Sequence, residues 1–246
     1  MICVVIPLHN EIEIVSALEK AVRSFCELNK DLAFIMVCDH CDDGTRELLE
    51  SSFDDHARVT VLDNRNIGGY GSALRSGFTL AHQLGFEWAI AIDSDLTNPL
   101  SEVKKLSDWI KSKSKDSLID VVIVKGNRFS GLMPSFNSVP IHRLVLSTLA
   151  NRISRILVLG ASRDPTNGFR AVRLEWINSN KFNETGFQSI MEEVYFALKD
   201  KKLIVDFKTE LRFDQALRHE SSFTLDRKTA SGYLKYSFLT LKSKIF

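Results

Sequence analysis

The chain has 246 residues, of which 44% are hydrophobic and 26% are charged, and its formal net charge is +1. This length allows one large domain or two small ones with a sizeable core, and the composition is ordinary for a globular enzyme. The balanced charge gives no indication of a nucleic-acid partner, and no segment reaches the ~18 apolar residues that span a bilayer.

The first half of the chain alternates strand and helix patterns. We predict strands over Ile2–Pro7, Ala33–Cys38, Val59–Asp63, Trp88–Asp93 and Val121–Lys125. We predict helices over Ile12–Asn29, Asp43–Phe53, Gly71–Leu84 and Leu100–Lys113. This alternation predicts an α/β fold with a mostly parallel central sheet and helices on both faces. Because the opening pattern is a strand and not a signal peptide, we expect a cytoplasmic protein.

The pattern changes after Lys125. A loop rich in turn residues leads to a predicted helix over Ile141–Leu159, and Asp164–Gly168 is typical of a turn. A helix over Gly186–Lys201 and a strand over Leu203–Phe207 follow. We interpret this half as a substrate-side extension of the first, so that residues 1–226 form one domain divided near residue 125.

Residues 227–246 form a basic, amphipathic tail. Leu234, Phe238, Leu241 and Ile245 lie on one helical stripe, with lysines off it. Two interpretations are open: a helix in peripheral contact with a membrane surface, or a terminal helix packed on the domain.

Two aspartates, Asp93 and Asp95, follow the buried fourth strand. In open α/β sheets ligands bind outside the carboxyl ends of the strands, and residues two apart on a strand point the same way. Paired carboxylates of this kind suit Mg²⁺ or Mn²⁺ shared with substrate phosphates. The alternative is helix capping, but Asn98 and Pro99 are better placed to begin the next helix. We therefore predict a metal or phosphate site.

Other strand ends add polar groups to the same edge. Glu11 and Asp39 follow the first and second strands and can accept hydrogen bonds from ribose hydroxyls and a base N–H. The alternative is that both residues are charges at helix starts. Asn66 and Gly68 belong to a glycine-containing loop that opens a helix, so we expect them to approach a donor phosphate. A plain strand–helix connection explains this loop equally well.

Cys38 and Cys41 form a Cys-x-x-Cys pair between a strand and a helix. This arrangement is compatible with thiol redox chemistry, and with His40 it is a partial zinc set. The third interpretation is a coincidence of sequence beside Asp39, which we favour.

Five segments together resemble the family 2 glycosyltransferases with the nucleotide-diphospho-sugar transferase (GT-A) fold. Pro7-Leu8-His9-Asn10-Glu11 is similar to their Pro-x-x-Asn-Glu opening, and Val37–Thr45 to their Val-Asp-Asp-Gly-Ser segment. Asp93-Ser94-Asp95-Leu96 resembles their Asp-Ala-Asp-Leu metal motif, and Gly126–Phe129 their Gly-Ser-Arg-Tyr. Asp164–Arg170 is nearly the Asp-Pro-Thr-Ser-Gly-Phe-Arg of the dolichol-phosphate mannose synthase branch.

The resemblance implies an inverting, metal-dependent enzyme that moves a sugar from a UDP- or GDP-sugar to a polyprenyl phosphate. Residues 1–125 would bind the nucleotide sugar and residues 126–226 the acceptor. The implied donor contacts are Pro7, His9, Glu11 and Asp39, together with Asp93. Asp93 and Asp95 would hold Mg²⁺ or Mn²⁺ and act in catalysis. The implied acceptor contacts are Arg128, Arg143, Asp164 and Arg170.

The acceptor stays open between two classes. If it is the hydroxyl of a growing glycan, a carboxylate must take its proton, and Glu192 is the candidate base because it aligns with a recurring glutamate of the family. A lipid phosphate is already ionised and needs no base. Cys38, His40, Cys41 and Thr97 depart from the family pattern, and Arg218–Ser222 lacks a glycine and a lysine. These departures leave open a non-catalytic module that binds sugar nucleotides.

Overall fold

The protein is described by a computed structural model that covers residues 1–65, 67–129, 152, 155–156, 158, 161–211 and 227–245. The strands are β1 (Ile2–Leu8), β2 (Leu32–Asp39), β3 (Val59–Asn64), β4 (Trp88–Ala91), β5 (Val121–Asn127), β6 (Arg170–Arg173) and β7 (Leu203–Lys208). The helices are α1 (Ile12–Leu28), α2 (Thr45–Phe53), α3 (Tyr70–Gln83), α4 (Leu100–Ser112), α5 (Leu174–Ser179), α6 (Ser189–Lys199) and α7 (Arg227–Ile245), with a 3-10 turn at Asp116–Leu118. Most of the helix predicted over Ile141–Leu159 lies outside the described residues.

The strands form one seven-stranded sheet in the order β3-β2-β1-β4-β6-β5-β7. Strands β1 to β4 are parallel, whereas β6 runs antiparallel to both of its neighbours, β4 and β5. The predicted α/β fold with a mostly parallel sheet is therefore confirmed.

Both faces of the sheet are covered by helices. In β1, alternate side chains pack into two separate clusters, with Val4 and Ile6 on one face and Cys3 and Val5 on the other. The first cluster includes residues of α1, α2 and α4, and the second includes residues of α3, α5 and α6. Burial on both faces explains why the strand is apolar at every position.

Three local features differ from the sequence prediction. Strand β6 and helix α5 were not predicted, because β6 has only four residues and an arginine at each end. Strand β4 ends at Ala91, before the aspartates. Asn98 is not the N-cap of α4: Pro99 occupies that position, and the Asn98 side chain instead donates to Thr209 Oγ1 at 3.1 Å.

Helix α7 packs on the domain through one face and leaves Leu234 and Phe238 of its apolar stripe exposed. Tyr233 and Tyr236 are buried against Met191 and Val194 of α6. On the opposite face, Leu234 is 49% exposed and Phe238 is 58% exposed. The interpretation of a terminal helix packed on the domain is thus correct for the inner face. Within the described residues, none of the helices is both long enough and apolar enough to cross a membrane.

Candidate functional site

The candidate site lies at the edge of the sheet where β1, β2, β3 and β4 end. Leu8 pairs with Cys38 across β1 and β2, and Ala91 of β4 pairs with Arg170 at the start of the antiparallel β6. The register therefore brings the segments after β1, β2 and β4 beside the segment that enters β6. This is the edge where α/β sheets bind ligands.

Three loops at this edge contain a non-glycine residue with positive φ. These are Asn10 at 53°, His40 at 53° and Leu96 at 47°. Asn10 is held by Asp42 in a reciprocal pair, with Asn10 Nδ2 donating at 2.7 Å and the Asp42 N–H donating at 2.9 Å. Such conformations cost free energy and are found mostly where function requires them, which is consistent with a binding edge.

On the side of β1 and β2, Asp39 organises the site. Its buried carboxylate accepts the Gly69 N–H at 2.6 Å and Asn64 Nδ2 at 2.8 Å, so it joins the end of β2 to the start of α3. Gly69 has a φ of 115°, which a residue with a side chain rarely adopts. A ring nitrogen of His9 lies 2.6 Å from the Asp39 carbonyl oxygen.

The other residues that we predict to bind the nucleotide-sugar donor lie near Asp39, with one exception. Pro7 is half-buried at the end of β1, and buried Glu11 donates its N–H to Thr45 Oγ1 at 2.8 Å. Gly68 packs against His40: a Cβ placed on Gly68 would lie 3.1 Å from His40 Nδ1. Asn66 lies outside the described residues.

Asp93 and Asp95 follow β4 at the centre of the edge, and each is held by a hydroxyl. Tyr70 donates to Asp93 Oδ1 at 3.1 Å. Thr97 donates its N–H to Asp95 Oδ1 at 2.9 Å and its hydroxyl to Oδ2 at 2.8 Å. Asp93 keeps an exposed surface, although neighbouring protein atoms displace much of the water around its carboxylate. Loss of hydration, followed by the charge of Asp95, raises its pKa to about 6.

The charge repulsion between these two carboxylates is what a divalent cation would relieve. Within the described residues there is no group of three or more His, Cys, Asp or Glu side chains able to hold a metal. Two carboxylates alone suit a hard cation that takes its remaining ligands from water and substrate phosphates, as Mg²⁺ does. The donor set therefore fits such an ion and does not resemble a closed zinc site.

On the side of β5, Arg128 is held by Asp164. Arg128 Nε lies 2.7 Å from Asp164 Oδ2, and Nη2 lies 2.9 Å from Oδ1. Asp164 is fully buried, and its charge raises the pKa of Arg128 despite the loss of hydration. This two-point contact fixes the plane of the guanidinium. Arg143, the second predicted arginine, lies outside the described residues.

Arg170 is placed differently from what the motif suggested. It is 0% exposed, and its Nε and Nη2 each lie 2.5 Å from a carboxylate oxygen of Glu193. Its Nη1 donates to the Gly168 carbonyl at 2.7 Å. Beside it, buried Lys125 donates to the Asn167 carbonyl at 2.6 Å. This geometry favours support of the 164–170 loop over direct contact with an acceptor.

Glu192 is also buried, and both of its carboxylate oxygens accept hydrogen bonds. Its two oxygens accept the N–H groups of Asn183 and Glu184, each at 2.9 Å. The Tyr236 hydroxyl of α7 lies 3.0 Å from Oε1. A general base needs an oxygen directed at the acceptor, and these three contacts engage both oxygens of Glu192 inside the protein. The structure therefore does not favour the predicted base role.

The Cys-x-x-Cys pair has two different thiols. Cys38 is buried, and Cys41 is partly exposed with its Sγ 3.5 Å from the Leu8 carbonyl oxygen. A hydrogen bond between the two side chains lowers the pKa of Cys41 to about 7 and raises that of Cys38. Both thiols are free in the structure.

Three supporting residues, Tyr70, Glu193 and Tyr236, were missed by the sequence reasoning, which noted Thr97 only as a departure from the family pattern. Tyr70 lies inside the glycine-containing loop, so its place at the start of a helix facing the site was a usable signal. Glu193 was not findable in this way, because its partner Arg170 is remote in sequence. The contact of Tyr236 with Glu192 likewise depends on the packing of α7 on α6.

Comparison with known proteins identifies the family to which the chain belongs. The family model described as glycosyl transferase family 2 matches residues 3–179. A dolichol-phosphate mannosyltransferase from Pyrococcus furiosus is 27% identical over 98% of this chain and 64% of its own length. A polyprenol monophosphomannose synthase from Mycolicibacterium smegmatis is 31% identical over 70% of this chain and 61% of its own length. The chain thus spans less than two thirds of these relatives.

Among solved structures, a glucosyl-3-phosphoglycerate synthase from Mycobacterium tuberculosis, in complex with Mn²⁺, UDP and glucosyl-3-phosphoglycerate, superposes with a TM-score of 0.63. It is 17% identical, and the alignment covers 99% of this chain and 79% of that one. This likeness supports the GT-A fold, and the match of the family model over most of the chain establishes the family. The chain belongs to glycosyl transferase family 2.

Proposed function

We propose that the chain transfers a sugar from a nucleoside diphosphate sugar to a polyprenyl phosphate, with inversion at the anomeric carbon. This proposal rests on one observation: negatively charged carboxylates and a positively charged guanidinium lie at the same edge of the sheet. The carboxylate of Asp93, which also interacts with that of Asp95, lies within electrostatic reach of the guanidinium of Arg128. Carboxylates suit a metal-bound diphosphate, and a fixed arginine suits a second phosphate. The names of the Pyrococcus and Mycolicibacterium relatives support the same acceptor class.

The donor nucleoside, of a UDP- or GDP-sugar, is proposed to bind on the side of β1 and β2. Pro7, His9, Glu11 and Asp39 surround this part of the site, and Gly68 allows close approach of a phosphate. Asp39 already accepts two internal hydrogen bonds, so its orientation is set before the ligand arrives. Residues 1–125 are accordingly proposed as the donor half and residues 126–226 as the acceptor half.

Asp95, supported by Asp93, would hold Mg²⁺ or Mn²⁺. When bound, the ion supplies neutralisation of the charge that develops on the departing diphosphate. The contribution of the protein is to fix both carboxylates before binding. The hydroxyl and N–H of Thr97 fix Asp95, and the Tyr70 hydroxyl fixes Asp93.

Arg128 is proposed to bind the acceptor phosphate, oriented by Asp164. The phosphate oxygen attacks the anomeric carbon in line with the departing diphosphate, and it is already ionised, so no general base is required. The occupied carboxylate of Glu192 is consistent with such a reaction. We propose that Glu192 and Arg170 hold the segments around the site, and that Arg143 contributes a second cation.

The test begins with calorimetry of UDP-, GDP-, CDP- and dTDP-sugars, with and without Mn²⁺, on the wild type and on Asp95→Asn. We expect one donor to bind in a metal-dependent manner, and this binding to be lost in the variant. Transfer to a polyprenyl phosphate is then measured for Arg128→Ala, with Arg163→Ala as the control because Arg163 is an exposed arginine in a neighbouring segment.

We expect Arg128→Ala to lose at least tenfold in transfer, since a charge-assisted contact to phosphate is worth about 1.5–3 kcal/mol, and Arg163→Ala to keep its activity. Undiminished transfer by Arg128→Ala would contradict the lipid-phosphate assignment. Transfer only to a glycan hydroxyl would support the other acceptor class. Donor binding without any transfer would support a non-catalytic module.

The outer face of α7 is proposed to contact an anionic membrane surface. Exposed Leu234 and Phe238 are one helical turn apart, and the polar and aromatic inner face is buried on the domain. Residues 227–246 contain no Asp or Glu. The basic residues of this segment are Arg227, Lys228, Lys235, Lys242 and Lys244. Apolar area flanked by positive charge is the combination that binds anionic lipid surfaces.

Flotation with phosphatidylserine-containing vesicles tests this contact. The variant Leu234→Ser/Phe238→Ser should lose recovery with the vesicles. The control Leu28→Ser/Leu84→Ser changes two leucines that are also exposed but lie at the ends of α1 and α3. Equal recovery of both variants would rule out the membrane contact through α7. Loss of self-association in the first variant, without any vesicle binding by the wild type, would indicate a protein partner instead.

A further inference from the structure

The side chain of Tyr70 connects the start of α3 to the carboxylate pair. Its ring stacks on Phe187 with a centroid distance of 4.4 Å and an interplanar angle of 23°. The adjoining N–H groups of Gly71 and Ser72 donate to the Thr185 carbonyl at 2.7 and 3.2 Å. The ring and the backbone beside it are therefore both anchored to the 185–187 segment, which leaves the hydroxyl in a defined place.

The Tyr70 hydroxyl lies between a cation and an anion. It donates to Asp93 Oδ1 at 3.1 Å, and the positive charge of Arg170 acts on both Tyr70 and Asp93. A guanidinium has no acceptor atom, so of these two groups only Asp93 can accept the proton of the Tyr70 hydroxyl. Arg170 itself is held in place by the carboxylate of Glu193.

The 164–170 loop closes the remaining space around the hydroxyl. A Cβ placed on Gly168 would lie 2.8 Å from the Tyr70 hydroxyl oxygen and 3.5 Å from both carboxylate oxygens of Asp93. A real Cβ does not approach an oxygen this closely without displacing it. Gly168 thus allows Tyr70 and Asp93 to meet, and neither Gly168 nor Tyr70 belongs to the Asp93-Ser94-Asp95 motif.

We propose that Tyr70 is the positioning residue for Asp93: its hydroxyl engages Oδ1, so that Oδ2 is presented to the metal-bound donor. This inference rests on the proposed function and adds to it a residue that the sequence motifs did not indicate. The role is geometric, because the ring does not need to touch the substrate. Because the charge of Arg170 acts on Tyr70, the buried Arg170–Glu193 pair is connected through Tyr70 to the carboxylates that we propose to bind the metal.

The test is the affinity of the protein for Mn²⁺ in the presence of the donor nucleotide, measured by Mn²⁺ electron paramagnetic resonance. Tyr70→Phe keeps the ring and its stacking but removes the hydroxyl. We expect Mn²⁺ affinity to fall about tenfold, the size expected for one hydrogen bond to a charged group. Nucleotide binding without metal and the melting temperature should be unchanged. Tyr195→Phe, in a partly buried tyrosine on α6, is the control and should match the wild type.

Two further variants test the same inference independently of the Tyr70→Phe substitution alone. Gly168→Ala should weaken Mn²⁺ binding, because the added methyl group displaces the Tyr70 hydroxyl. In the Tyr70→Phe background the clashing oxygen is absent, so adding Gly168→Ala there should change Mn²⁺ affinity little further. Wild-type Mn²⁺ affinity in Tyr70→Phe, or an equal loss of nucleotide binding without metal, would overturn the inference. If the wild type binds neither metal nor nucleotide, the proposed function fails instead, and the two failures are distinguishable.

Discussion

The buried ion pair of Arg170 and Glu193 provides a quantitative test of how the site is held. Glu193→Leu would leave the guanidinium of Arg170 without its carboxylate in a place that is 0% exposed. Removing one partner of a buried pair costs about 3–5 kcal/mol, because the remaining charge loses its compensation. For a domain of this size, about 2–4 °C of melting temperature is lost per kcal/mol, which gives a decrease of about 6–20 °C.

The assay is urea denaturation followed by both fluorescence and circular dichroism, with calorimetric melting as a second measurement. Glu175→Leu is the control, because Glu175 is an exposed glutamate on α5 and should change the free energy of unfolding by about 0.5 kcal/mol or less. The double variant Arg170→Met/Glu193→Leu should recover most of the loss, since it removes both charges together. A cost below about 1 kcal/mol for Glu193→Leu would refute the reasoning, because a pair worth so little is a solvated one.

Two further predictions concern groups at the edge of the sheet. Thr97→Val should weaken Mn²⁺ binding in the presence of nucleotide by about three- to tenfold, because one hydrogen bond to Asp95 is lost. The control Thr97→Ser keeps the hydroxyl and should bind Mn²⁺ like the wild type. Equal Mn²⁺ affinities of the wild type and both variants in a titration would contradict this prediction. Alkylation of Cys41 by iodoacetamide, followed by peptide mass spectrometry, should reach half of its maximal rate near pH 7. The hydrogen bond from Cys38 lowers the pKa of Cys41, so its reactive thiolate is present above that pH and lost below it. A half-maximal rate near pH 8.5 would indicate an ordinary thiol.

The main elements of the fold were predictable because they depend on short-range patterns. Strand β1, for example, is buried on both faces, so its position is visible as a continuous apolar run. Strand β6 is different: the central Ala171 and Val172 are enclosed by β4 and β5, but the flanking arginines hide this in the sequence. Arg170 is acceptable inside the protein only because Glu193, on a different element, neutralises it.

The difference between local sequence patterns and contacts from remote elements also explains which parts of the site could be predicted. Asp39 is the last residue of β2, and Asp93 and Asp95 come shortly after β4, so the topology alone brings them to one edge. The roles of Arg170 and Glu192 were assigned from motif and alignment, and the structure directs both side chains inward. A sequence motif identifies a position in the fold, but whether its side chain faces a ligand or the interior depends on partners from elsewhere in the chain, such as Glu193 and Tyr236.

Those partners also decide how the tail can be tested. The Tyr236 hydroxyl of α7 contacts Glu192 at 3.0 Å and Glu184 at 2.9 Å, and Lys235 pairs with Glu184 at 2.8 Å. Glu192 in turn holds the backbone beside Thr185, whose carbonyl anchors the start of α3.

Deletion of residues 227–246 would therefore remove at once the outer surface that we propose to contact a membrane and the inner support of the donor side. We expect the deleted protein to lose stability, measured as melting temperature, and nucleotide affinity as well as vesicle binding. Leu234→Ser/Phe238→Ser should lose vesicle binding alone, because neither side chain faces the domain. If the deleted protein kept the melting temperature and nucleotide affinity of the wild type, the contacts of Tyr236 and Lys235 would contribute nothing to the site.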